Sequence, residues 1–407
     1  MAEVKPDIQT IVKIKVVGVG GSGCAAVNRM VESRIKGVDF IAMNTDAQDL
    51  HYTKTQTKLH IGKTVTKGLG AGMNPDLGRR AAEESQNDIR DLLKGADMVF
   101  VTCGLGGGTG SGASPVVAEI ARDLGALTIA VVTKPFSYEG AQRREIAERA
   151  YEELSTKVDA VIVIPNDRIL QIIDKKTSFI DALKAADEIL RQGVEGISDL
   201  ITIPGLINVD FADVKSIMQN AGTALMGIGK GAGENRAVVA AKAAVSSPLL
   251  ETSIDGARGV LFVVTGGSNL TMHEVNEAAK IVTSSADENA RVIFGTVIDE
   301  SLKDEVKITV VATGFNNPNA INPLRVENQV ASKPYTVNRY LEQQEDIEED
   351  LTTEETSYAP EPVFERKAVV EKKKTISFEP SSIKNPSKPK SDDEDLDIPA
   401  FIRRKMN

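Results

Sequence analysis

The stretch Gly104-Leu-Gly-Gly-Gly-Thr-Gly-Ser-Gly112 is nearly bare backbone. Glycine loses more conformational freedom on folding than any other residue, so a run this dense implies that something approaches main-chain N–H groups closely. A phosphate is the usual partner, but the common phosphate loop closes on Lys-Ser or Lys-Thr and no lysine follows here. A second loop, Gly18-Val-Gly-Gly-Ser-Gly23, has the G-x-G-x-x-G spacing. Each loop follows a β-branched run expected to be a strand (14–19 and 98–102). Each also precedes an expected helix, opening at 24–30 after the first loop and covering 115–123 after the second. A helix N-terminus at such a turn directs free N–H groups and partial positive charge at an anion. One such loop is as often a tight strand–helix turn as a ligand site. Two at the C-terminal strand ends of one sheet point to a di- or triphosphate, because open α/β sheets bind ligands along that edge. Mg²⁺ is then expected to supply the charge that a lysine would have brought.

Outward from the two loops, runs at 38–43, 128–133 and 160–164 continue the alternation of strands with amphipathic helical patterns. This is the pattern of a Rossmann-like, doubly wound parallel sheet, an α/β fold. Apolar residues then recur at steps of three and four over 178–202, one buried stripe on a helix of about 24 residues and about 36 Å. Beyond it, 260–265, 292–297 and 306–313 are expected as strands of a second sheet, with a helix over 272–284. The expected boundaries are an N-terminal extension at 1–11, the phosphate-binding domain at 12–177 and the central helix at 178–202. A loop and helix at 203–221 and a smaller α/β domain at 222–316 follow. Residues 317–390 turn acidic, then basic, with too few large apolar side chains to offset ordering entropy, so a disordered linker is expected before a terminal peptide at 391–407.

The chain has 407 residues and a net charge of -10, which argues against nucleic acid as a partner, since phosphate neutralisation needs clustered Lys and Arg. No apolar run approaches the roughly 20 residues of a membrane span and no signal-peptide core is present, so direct membrane insertion is not expected. Two cysteines suit a reducing cytoplasm better than a disulfide framework. His51, His60 and His273 do not cluster with cysteines or acids, and no protein metal site is expected.

Gly106-Gly-Gly-Thr-Gly-Ser-Gly112 resembles the signature loop of the tubulin/FtsZ superfamily. The likeness continues through Asn44-Thr-Asp-Ala-Gln48, Gly70-Ala-Gly-Met-Asn-Pro75, Ile164-Pro-Asn-Asp-Arg168 and Asn208-Val-Asp-Phe-Ala-Asp213, and spans roughly 11–315. The chain is similar to the bacterial, cytokinetic branch of that family. The resemblance implies Mg²⁺-dependent GTP hydrolysis to GDP, coupled to head-to-tail self-assembly into protofilaments of a division ring at midcell. Carried over by motif, Gly20, Gly21, Ser22, Gly23, Cys24 and Ala25 would cradle phosphates together with Gly106, Gly107, Gly108, Thr109 and Gly110. Asp46 belongs to the same nucleotide-binding set, and Ala71 and Gly72 would approach the γ-phosphate. Glu139 and Arg143 would contact the ribose and base region, and Asn166, Leu183 and Asp187 the base. A carboxylate at Asp187 can accept both N1–H and N2–H of guanine, a pattern adenine lacks. Asn208, Asp210 and Asp213 would complete the neighbouring subunit's site and position the attacking water, the main requirement of phosphoryl transfer. The terminal peptide resembles the family's tail, so Asp397, Ile398, Pro399, Phe401, Ile402 and Arg403 would dock division regulators and membrane tethers.

Several of these residues have a plainer alternative. Glu139–Arg143 and Asp187–Arg191 are i,i+4 pairs of the kind found on solvated helices. Asp210 and Asp213 are good helix-start residues. Cys24 and Cys103 suit either a redox-sensitive site or, more simply, two small buried hydrophobes. A dinucleotide oxidoreductase, with Asp39 or Asp46 on the ribose, leaves the denser second loop unexplained. A nucleotide-dependent scaffold without hydrolysis leaves the two aspartates unexplained. The sequence also departs from the family pattern: Ser22 and Ala25 stand for glycine and asparagine, and Leu183 for a base-packing phenylalanine.

Overall fold

A computed structural model describes residues 12–315 except 172, 175, 204–206, 208 and 248–252, and Phe179 by its backbone alone. Asn208, the extension at 1–11, the linker at 317–390 and the tail residues Asp397, Ile398, Pro399, Phe401, Ile402 and Arg403 lie outside the described residues. The first half of the chain alternates β1 (Ile14–Val19), α1 (Gly20–Glu32), β2 (Val38–Asn44), α2 (Ala47–Tyr52), β3 (Thr57–His60) and the helices α3 (Lys63–Thr66), α4 (Pro75–Glu84) and α5 (Gln86–Leu93). It continues with β4 (Met98–Gly104), α6 (Gly108–Asp123), β5 (Leu127–Lys134), α7 (Ala141–Lys157), β6 (Ala160–Pro165) and α8 (Asn166–Ile169). The long helix α9 (Phe179–Thr202) leads to α10 (Phe211–Met218), β7 (Gly222–Ala232) and α11 (Arg236–Val245). Then come β8 (Gly259–Gly266), α12 (Met272–Ser284), β9 (Arg291–Ile298) and β10 (Glu305–Thr313).

Successive side chains of a strand point to opposite faces, so continuous apolar runs give the central strands two buried faces. Val16, Phe100, Ile129 and Ile162 pack with Met30 of α1 and with Leu190, Val194 and Ile197 of α9. Val17, Val101, Val132 and Val161 point the other way, onto Val117 and Ile120 of α6 and Ala147 and Leu154 of α7. The long helix begins at a capped turn, where the Ser178 hydroxyl accepts the Asp181 N–H, and buries its stripe against the first of these faces.

The expected second sheet is not separate. All ten strands among the described residues belong to one sheet, ordered β3-β2-β1-β4-β5-β6-β7-β10-β8-β9. Ala160, Val161 and Ile162 of β6 pair in parallel with Gly222, Thr223 and Ala224, so β7 continues the first half of the sheet. β10 then reverses direction between β7 and β8. The strand that makes the join was not expected from the sequence, because glycine replaces the apolar residues on one of its faces. A Cβ at Gly227, Gly229 or Gly231 would lie 2.0 Å from a carbonyl oxygen of α11. These glycines let the alanine-rich helix lie directly on the strand.

The long helix is fastened to the second half of the sheet by ions. Glu195 pairs with Arg191 at 2.5 Å and with Lys307 of β10 at 3.0 Å. One turn on, burial and then the nearby Glu195 push the Asp199 carboxyl up to about 7, with Asp299 adding to the rise and Lys307 and Arg191 opposing it. The folded protein therefore holds this proton to a higher pH than the unfolded chain, which releases it near 3.8. The contribution to stability is fully present below the unfolded value and is lost as pH rises through about 7. Thermal unfolding followed from pH 5 to 8 is expected to show this decline in the wild type and a shallower one in Asp199→Asn. Identical slopes would contradict the assignment.

Candidate functional site

The C-terminal ends of β1, β4, β5 and β6 open into a cleft of about 510 Å³. Its floor is two helix N-termini. α1 begins at Gly20 and α6 at Gly108, and neither is capped by a side chain, unlike α2, α4, α9 and α12, which carry Asp46, Asn74, Ser178 and Thr271. First-turn N–H groups of a helix have no intrahelical partner. Those of Gly21, Ser22, Thr109 and Gly110 are thus available to an anion in the cleft they line. The helix after the opening stretch was expected to begin near Pro115. It begins seven residues earlier, so the glycines are its first turn, and Pro115 sits inside it.

The glycines bring the two loops into contact. Gly20, at φ +74°, leaves 3.0 Å between a would-be Cβ and the Gly110 nitrogen, and a Cβ on Gly104 would be 2.7 Å from the Ser22 hydroxyl. Gly72 completes the rim: its carbonyl accepts the Gly108 N–H at 2.7 Å. This approach depends on α4 lying against α6, where a Cβ on Gly112 would come within 1.9 Å of the Pro75 carbonyl.

Gly20, Gly21, Ser22, Gly72, Gly107, Gly108, Thr109, Gly110, Glu139, Arg143, Asn166 and Leu183 all line this one cleft. Others in the expected set lie beside it. Gly23 packs on the Thr102 carbonyl, Ala25 is exposed on the outer side of α1, and Ala71 is buried beneath Gly108. Gly106, at φ +99°, turns the chain into the helix and donates its N–H to the Ser111 hydroxyl. Asp46 accepts N–H bonds from Gln48 and Asp49 and so caps α2. Cys24 and Cys103 are buried, and burial pushes both thiols up to about 12, leaving no thiolate for redox chemistry near neutral pH.

Glu139 and Arg143 are paired at 2.7 Å, and both face the cleft. Asn166 also lines it, and its buried Oδ1 has no hydrogen-bond partner. Orphaned buried acceptors are rare, and this one is placed to meet a ligand donor. Asp187 does not pair with Arg191, which is engaged by Glu188 and Glu195. It sits 3.7 Å from Arg29 of α1, and burial lifts its carboxyl to about 6 against the pull of that cation. Phe136 and Tyr138 were not expected from the sequence. Their stacked rings, 5.0 Å apart, form a wall of the cleft, and two aromatics just after a buried strand were the available signal.

Asp210 and Asp213 are far from this group. Leu183, near the start of α9, is at the cleft, whereas Thr202 at its end reaches the Lys36 carbonyl just before β2, at the opposite end of the sheet. Asp210 occupies the N-cap position of α10, yet its side chain makes no capping bond. Both aspartates are exposed.

A family model described as "Tubulin/FtsZ family, GTPase domain" matches residues 13–174, and one described as "FtsZ family, C-terminal domain" matches 222–316. Among solved structures the chain is similar to an empty FtsZ dimer from M. jannaschii, at 48% identity and TM-score 0.73, covering 75% of this chain and 89% of that one. It also shares its fold with CetZ2 from Haloferax volcanii, solved as a GTPγS-bound protofilament. That match has 23% identity and TM-score 0.66, covering 75% of this chain and 94% of that one.

Two glycines separate ligand contact from packing. A Cβ on Gly107 meets nothing within 4 Å, so Gly107→Ala is expected to leave the unfolding midpoint unchanged and to weaken nucleotide binding, measured by titration calorimetry. Gly112→Ala forces α4 from α6 and is expected to cost about 1–3 kcal/mol of stability in denaturant unfolding. Unaltered affinity in the first variant would place the nucleotide elsewhere.

Proposed function

The chain belongs to the tubulin/FtsZ family and is a GTPase, and from that premise we propose that it assembles head to tail, each subunit's acidic loop completing its neighbour's GTP site. The observation that carries this reading is the separation just described. The cleft holds one carboxylate, Glu139, already committed to Arg143, while two unengaged aspartates sit at the other end of the sheet. Phosphoryl transfer to water needs a group that orients the nucleophile. Asp210 and Asp213 meet that need only for another subunit's nucleotide, with Asn208 beside them in sequence.

The surroundings of the cleft suit an interface. Tyr138, which lines it, is 61% exposed, and Ile180, one turn before Leu183 on α9, is 66% exposed. Within the cleft, Gly20–Ser22 and Gly107–Gly110 hold the phosphates, Gly72 stands at the γ-phosphate, and Asn166 and Leu183 take the guanine, with Asp187 one turn beyond Leu183 on α9. Aliphatic Leu183 gives the base a contact surface without stacking. Ser22, Thr109 and Thr133 line the cleft, with the Thr109 hydroxyl bonded to that of Thr45, and among the described residues no group of three acidic, histidine or cysteine side chains could hold a metal. This donor set fits Mg²⁺ carried on the phosphates with most of its waters. When bound, the ion neutralises charge on the phosphate oxygens. The assignment to a bacterial division ring at midcell, with regulators and tethers docking on Asp397–Arg403, belongs to this proposal and rests on resemblance. A nicotinamide oxidoreductase does not survive: Asp46 is a helix cap, and Asp39 sits at the end of β2 away from the cleft.

Asp213→Ala is expected to lower GTP turnover by about 100-fold or more while leaving the GTP dissociation constant of the monomer within about twofold. Parallel loss of affinity would indicate that Asp213 serves its own subunit's cleft.

A further inference from the structure

β9 is the last strand of the sheet, paired to β8 along one side only. On its free side, a single bridge among the described residues joins it to the chain just before the acidic loop: Thr296 opposite Ile207. The Thr296 N–H donates to the Ile207 carbonyl at 3.3 Å. The reciprocal bond is not made to the backbone. The Ile207 N–H donates instead to the Thr296 hydroxyl oxygen, at 3.1 Å. Thr296 is 3% exposed, so its hydroxyl makes a partly buried polar contact that is costly to leave unmade.

The contact lies three residues before Asp210. Val209, between them, is 8% exposed and packs into the core beside β9, where a Cβ on Gly295 would stand 3.2 Å from its Cγ2. Ile207 and Val209 are thus both pinned to β9, and Asp210 emerges directly from the second pin into solvent. Resting on the trans-acting role proposed above, we infer that Thr296 is a positioning residue for GTP hydrolysis: its hydroxyl fixes the segment that presents Asp210 and Asp213 to the neighbouring subunit's nucleotide. Among the described residues Thr296 bonds to Ile207 and to β8 and not to a residue lining its own subunit's cleft, so its effect is on turnover and not on nucleotide affinity. It also ties the acids to the sheet of the C-terminal half, so a shift of that half moves the acids with it.

The test compares Thr296→Val, which keeps the shape and removes the hydroxyl, with Thr296→Ser, which keeps the hydroxyl. Asp213→Ala is measured alongside, all in the full-length chain. Displacing a reacting group by about 1 Å costs up to about 100-fold, so Thr296→Val is expected to lower kcat per sedimented subunit by roughly 10-fold or more. Its GTP affinity and polymer yield are expected to stay near wild type, and Thr296→Ser to restore kcat. Wild-type turnover in the valine variant, or a serine variant as slow as valine, overturns the inference, as does loss of GTP affinity in step with kcat. If the valine variant is recovered unfolded, the serine variant decides alone, and lowered turnover there counts against the hydroxyl. Full turnover in Asp213→Ala would sink the trans-acting reading itself, whereas a dead Asp213→Ala with an unaffected Thr296→Val sinks only the role of Thr296.

Discussion

A long, well-packed helix keeps the glycine-lined cleft and the acidic loop at opposite ends of the molecule. The 24 residues of α9 span about 36 Å, and their buried stripe is held by the core of the sheet on one side and by the Glu195 ion pairs on the other. The cleft lies where this helix starts and the acidic loop lies beyond where it ends. No side-chain motion within one subunit spans that distance. On the proposed head-to-tail reading, binding and hydrolysis are divided between two copies, and that division follows from helix length and packing.

The cleft offers backbone in place of charged side chains. Two helices, α1 and α6, point uncapped first turns into it, and glycine at Gly20 and Gly104 removes the side chains that would hold those turns apart. The same economy recurs in β7, where glycines bring a helix down onto a strand.

Most of the first half of the sheet was legible because its strands are buried on both faces and read as continuous β-branched runs. β7 was not legible, since alternate glycines erase the apolar period, and so the single ten-stranded sheet was mistaken for two. At the site, the dense glycine run marked the cleft, but it could not show that the helix begins at Gly108 and not near Pro115. Asp187 was visible as a carboxylate on a helix, yet its partner, Arg29, comes from a different helix. Sequence spacing offers only neighbours along one helix, and so it offered Arg191. Asp210 illustrates the converse: the sequence favours a helix cap, and only the structure leaves its side chain without a capping bond.

Phosphate release per subunit, measured across a series of protein concentrations at saturating GTP with Mg²⁺ and read beside light scattering, tests the shared site most directly. If the acids act on a neighbour, release per subunit is near zero at concentrations where scattering shows no polymer, and it climbs as polymer forms. A rate per subunit that stays flat across that series, including where no polymer scatters light, would contradict the account.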